Sequence, residues 1–60
     1  MSAMSELDAF CTEVGEKVKK DYGYEDGADL CYNFVSVGSV LVEEGVKKAA
    51  QIIAQALAQQ

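Results

Sequence analysis

The sixty-residue sequence predicts an all-α protein, an antiparallel helical hairpin with a short first helix and a long second one, assembling into a helical oligomer. Three observations carry this. Apolar residues recur at helical spacing on both sides of a glycine- and acid-rich turn. A seam free of polar side chains runs through the second half of the chain. A chain this small hides only about 60% of the surface its unfolded form exposes, so apolar flank is left for a partner.

Helix one is expected over about Ser5 to Tyr22. Ser5 followed by Asp8 resembles a loose capping box, with Asp in place of Glu or Gln. Leu7, Phe10, Cys11, Val14 and Val18 form one apolar stripe. Glu13 with Lys17, and Glu16 with Lys20, are i,i+4 pairs in the favourable order. Gly23 stands where a left-handed residue ends a helix. The stretch Gly23 to Asp29 is the turn, and Asp26 or Asp29 can cap the helix that follows.

The middle of the chain reads two ways. Val35, Val37, Val40 and Val42 around Gly38-Ser39 suit a β-hairpin with a type II′ turn, which makes an α+β fold the alternative. Strand alternation over Cys31 to Val37 gives neither face cleanly apolar, however. At helical spacing, positions 31, 35, 38, 42, 45, 49, 52 and 56 hold only Cys, Val, Gly, Ala and Ile. Four valines and two glycines cost a helix roughly 4 kcal/mol relative to alanine, which packing must offset. An isolated hairpin is itself only marginally stable. The helix is the expected form.

The tail, Val46 to Gln60, is helical by every local sign. Helix two then spans about Ala28 to Ala58, or ~46 Å against ~27 Å for helix one. Its last dozen residues, with Ile52, Ile53 and Leu57, find no partner along helix one. Either the helix breaks near Gly45 and folds back as a third helix, or the tail packs on another subunit. The ordered pairs Glu43–Lys47 and Glu44–Lys48 straddle Gly45 and favour continuity, hence association. The expected interface is therefore Phe34, Val35, Gly38, Leu41 and Val42, continuing through Gly45, Ala49, Ile52, Ile53 and Leu57. Gly38, Gly45 and Ala49 would allow close backbone approach, against helix one or against another copy.

Composition narrows the partners. A net charge of −5 and no arginine argue against nucleic acid and against an anionic membrane. Acidity suits a basic protein partner instead. The first ten residues lack the basic and apolar regions of a secretion signal. The longest mostly apolar run, Leu30 to Val42, is thirteen residues and too short to cross a bilayer, so cytoplasmic residence is expected.

Chemistry is thinly provided. The chain has no histidine, the usual neutral-pH base and commonest metal ligand. Its two cysteines cannot make a zinc site alone. Cys11 lies fourteen residues before a turn centred near Glu25 and Cys31 six after, depths that argue against an intrachain bridge. Both are expected as reduced core side chains. The five glycines fit no phosphate-binding loop. Aligning Gly27 with the invariant glycine of a calcium loop puts Tyr22 and Tyr24 at ligand positions, which defeats that assignment.

No catalytic residue, metal site or cofactor is expected. Tyr22, Tyr24 and Tyr32 cluster around the turn in sequence, and tyrosine is enriched in binding hot spots. With Lys17, Lys20 and Asp26 they are the candidate contacts for a ligand or partner. The function expected is that of a small, acidic, non-enzymatic binding protein acting as a homo-oligomer. The alternative is an inhibitor of the kind phages and mobile elements encode. It would sequester a host protein or a small anionic nucleotide signal in an inter-subunit pocket, its anion met by Lys17, Lys19 and Lys20 or by helix-two amides.

Overall fold

The computed structural model describes residues 3–38 and 40–60, with side chains from residue 6 onward. Three helices form: α1 over Ala3–Tyr22, α2 over Gly27–Ser36 and α3 over Val46–Ala58. A short 3-10 turn, Leu41–Glu44, sits between the last two. Among the described residues there is no strand. The all-helical expectation is met at that level. The long second helix and the two-helix hairpin built on it are replaced by three helices, and no strand of the alternative β-hairpin forms among the described residues.

α1 ends as its sequence requires. Gly23 takes φ +83° and its N–H donates to the carbonyls of Lys19 at 3.0 Å and Val18 at 3.1 Å, closing the last turn. Lys19 and Lys20 lie in that turn, where the helix dipole favours cations. Two expectations about the start need amending. The helix begins at Ala3 rather than Ser5, and the capping role of the Ser5 side chain lies outside the described residues. Of the ion pairs, Lys17 turns forward to Asp21, Nζ to Oδ2 2.6 Å, rather than back to Glu13.

At the start of α2, Asp26 holds the capping position without a side-chain cap bond. Its backbone carbonyl accepts from Leu30 N at 3.1 Å. The helix then lasts ten residues. Ser36 Oγ donates to the Asn33 carbonyl at 3.1 Å, and Val37 N–H reaches the same oxygen at 3.3 Å. Serine in this position competes for a carbonyl the helix would otherwise use, and valine brings its own penalty. Gly38 follows at φ +88°, and Ser39, the second residue of the expected turn, lies outside the described residues.

Gly45 makes the second break. Its φ of +85° and ψ of 163° belong to a region open essentially to glycine alone, and no α-helix runs through it. From there its carbonyl accepts from Ala49 N at 2.9 Å and α3 begins. The pairs expected to hold the helix together across this point do not form. Among the described residues the ion pairs are Lys17–Asp21 and Lys19–Glu25. At 0.2–0.5 kcal/mol each, roughly, two i,i+4 pairs could not have offset the valines and glycines between 35 and 45.

Folding back lets α3 pack on α1, and α1 also packs on α2. The core is Cys11, Val14 and Val18 from α1, Cys31 from α2, Leu41 from the 3-10 turn, and Ala49, Ala50, Ile53 and Ala54 from α3. Phe10, Leu30, Phe34, Val35, Val46, Ile52 and Leu57 pack around it, half-buried. Among the described residues no charged or polar side chain is buried.

α1 and α2 meet through small residues that the sequence reading did not select. A Cβ placed on Gly15 would lie 2.8 Å from Ala28 Cβ and 3.0 Å from Ala28 N. One placed on Gly27 would lie 2.9 Å from Val18 Cβ. Gly38 and Gly45, expected to supply that close approach, have nothing within 4 Å of such an atom and serve the turns instead.

Candidate functional site

The most distinctive surface follows from the interrupted middle segment. From the end of α2 into the 3-10 turn, the backbone carries β-branched side chains that no long helix face buries. Val37 is 84% exposed, Val40 64% and Val42 47%. Leu41 between the last two turns inward and is 2% exposed, pinning the segment to the core. The thirteen residues from Leu30 to Val42 contain no Asp, Glu, Lys or Arg. This valine-bearing stretch of an acidic chain is thus uncharged, with the exposed Glu43 and Glu44 directly after it.

Of the expected interface residues, Leu41, Ala49 and Ile53 lie in the core of this same chain. Phe34, Val35, Ile52 and Leu57 lean against that core, while Val42 is exposed. Gly38 and Gly45 are exposed turn points. α1 therefore covers most of the seam in cis, and the surface left over centres on Val37, Val40 and Val42. Val37 and Val40 were outside the expected set: on a continuous helix Val37 only widens the seam, and Val40 falls on the opposite, polar side. Their sequence signal was the density of valine and glycine that a helix tolerates poorly.

The three tyrosines separate. Tyr22 and Tyr24 flank Gly23 at the first turn, both exposed. Tyr32 lies toward the other end of α1, where its hydroxyl donates to Asp8 Oδ1. That bond to a carboxylate is the main reason its phenol is pushed up to about 12, with loss of hydration adding to it.

The lysines do not converge either. Lys17 is held by Asp21, whose carboxyl is kept below its ordinary range chiefly by this bond. Lys19 approaches Glu25 at 3.8 Å. A cleft of about 250 Å³ between α1 and α2 is lined by Thr12, Gly15, Glu16, Lys19, Glu25 and Ala28. A second, of about 330 Å³, is lined by Asp26, Asp29, Leu30, Asn33, Leu57 and Gln60. Neither brings two bases together. The amino end of α2, where an anion could meet free amides, has Asp26 and Asp29 beside it.

Cys11 and Cys31 are fully buried, and the Cys11 thiol meets the Cys31 sulfur at 3.0 Å. Burial first, and the neighbouring Cys11 second, push the Cys31 thiol well above its ordinary range. The mismatch in depth that argued against their meeting assumed helices running strictly side by side. Contacts instead pass from Val18–Gly27 to Asp8–Tyr32, ten residues along α1 for five along α2, so the helices are inclined. Among the described residues no three His, Cys, Asp or Glu side chains form a group able to hold a metal. No helix among them is long and apolar enough to cross a membrane.

Fold and surface together define a class, a small acidic three-helix bundle with an uncharged valine-bearing stretch. No family model, curated protein or solved structure matches the chain.

Proposed function

We propose that this is a small, acidic, non-enzymatic binding protein of the cytoplasm that acts as a homo-oligomer, its copies meeting at the corner formed by Val37, Val40 and Val42. The observation that carries the reading is the charge-free run from Leu30 to Val42 with these side chains exposed on it. Two copies of a chain with net charge −5 repel one another over most of their surfaces. At this corner the facing side chains are uncharged, with the exposed Glu43 and Glu44 at its edge. A twofold axis would set the same patch on both copies face to face.

Magnitudes set the strength. Fully burying a valine is worth about 1.5–3 kcal/mol, and association costs at least about 4 kcal/mol. Three partly exposed valines on each of two copies give a modest surplus, so the dimer is weak, with Kd on the order of 100 µM. Sedimentation equilibrium across that concentration range tests the reading. The double variant Val37→Lys, Val40→Asp keeps the net charge while placing charges on the patch. Lysine suits the carboxyl end of α2 and aspartate the start of the 3-10 turn, so folding is expected to survive. The wild-type chain should dimerise and the variant remain monomeric with an unchanged circular dichroism spectrum. A wild-type chain that stays monomeric to millimolar concentration contradicts the proposal.

A further inference from the structure

We propose that Cys11 and Cys31 form a dithiol modification site, which a low-molecular-weight disulfide such as oxidised glutathione converts into an intrachain bond stapling α1 to α2. The two sulfurs are already 3.0 Å apart across the interface of those helices, about 1 Å beyond bonded separation. No third ligand-type side chain among the described residues joins them, which leaves a metal no site there. The Gly15–Ala28 and Gly27–Val18 contacts hold the two helices close beside the pair.

The chemistry balances with the oxidant named. One cysteine, having lost its proton to water, attacks a sulfur of the small disulfide. That S–S bond breaks, one small thiolate leaves, and a mixed disulfide remains on the chain. The second cysteine, deprotonated in turn, attacks the protein-bound sulfur of the mixed disulfide and expels the second small thiolate. The two protons given up by the cysteines end on the two released thiols. The electron pair passes from the dithiol to the oxidant.

Burial governs when this happens. Both side chains are 0% exposed, and burial disfavours the thiolate. Attack therefore occurs while the α1–α2 contact is open, during folding or local unfolding. Once the helices close, the bond is shielded from reductants by the same core. The residues are 20 apart in sequence, and a cross-link closing a loop of that size raises the folding equilibrium constant on the order of 100-fold. Val37, Val40 and Val42 lie outside the loop, so the staple leaves the valine corner unchanged.

The test uses the full wild-type chain in its two redox forms. Reduced protein is equilibrated at pH 8 in a buffer of oxidised and reduced glutathione under conditions where it opens and closes, then quenched by alkylation and weighed intact. The expected product is a single chain lighter by two hydrogens, with no alkyl or glutathione adduct. Its Tm should exceed that of the reduced chain by about 10–20 °C. A product dominated by glutathione adducts or by cross-linked dimers overturns the proposal. So does an intrachain disulfide that melts at or below the reduced chain.

Discussion

Gly15 sits in the interior of α1, where glycine costs about 1 kcal/mol relative to alanine. The chain bears that cost because Ala28 of α2 occupies the space a side chain would need. Gly15→Ala would gain helix propensity yet drive a methyl into backbone, and overpacking typically costs 1–3 kcal/mol or more. We predict a net loss of about 1–2 kcal/mol in chemical denaturation, with Tm falling by roughly 10 °C. The sequence offered a clue in the conflict between a strong helical stripe and a glycine beside it. What it withheld was the partner, because the inclined packing of α1 and α2 is set by the sum of contacts along both helices. The same inclination hid the meeting of Cys11 with Cys31 and of Asp8 with Tyr32. These last two contacts predict a pH response. Tyr32 and Cys31 both have folded pKa values above their unfolded ones. Their contribution to stability is complete below the unfolded values and is lost as pH rises through the folded ones. Urea midpoints should therefore hold to about pH 9 and fall progressively toward pH 12. In Tyr32→Phe the part of the fall above pH 10 should shrink.

At the scale of elements, the amphipathic stripes of α1 and α3 and the turn at Gly23 could be read directly. Each rests on local periodicity and capping, and each buries the face it shows in the sequence. The segment from Val35 to Gly45 could not be read this way, since it is neither a good helix nor a pair of strands. Its valines and glycines had the larger energy, and the charge pairs across Gly45 the smaller. The outcome follows that order. Two predictions belong here. Gly45→Ala forces a side chain into a backbone region near-exclusive to glycine and should cost about 1–3 kcal/mol. It should lower the urea midpoint without lengthening the helix by circular dichroism. Leu41→Ala removes the side chain that anchors the segment between α2 and α3. A buried leucine truncated to alanine costs about 2–5 kcal/mol, and in a chain of this size that should leave a large unfolded fraction at 25 °C.

The whole molecule is close to self-sufficient in surface. It exposes 4096 Å², against about 3,800 Å² for a compact monomer of its mass. Its radius of gyration of 10.4 Å equals the roughly 10 Å expected of a lone sixty-residue domain. The apolar flank that the sequence offers to a partner is mostly covered in cis where α3 folds back onto α1. The proposed association rests on a corner rather than on a helix length, which is why the dimer is weak. That corner was legible only in part. The uncharged run was visible in the sequence, but which valines face outward depends on where the chain leaves the helix.

The central claim is that the chain interrupts its second helical stretch between Val37 and Gly45 and returns α3 to α1. Backbone NMR assignment with Cα secondary shifts measures this residue by residue. The account predicts helical shifts over 27–36 and again over 46–58, separated by non-helical values at Val37, Gly38 and Gly45. Unbroken helical shifts from Ala28 to Ala58 would contradict it.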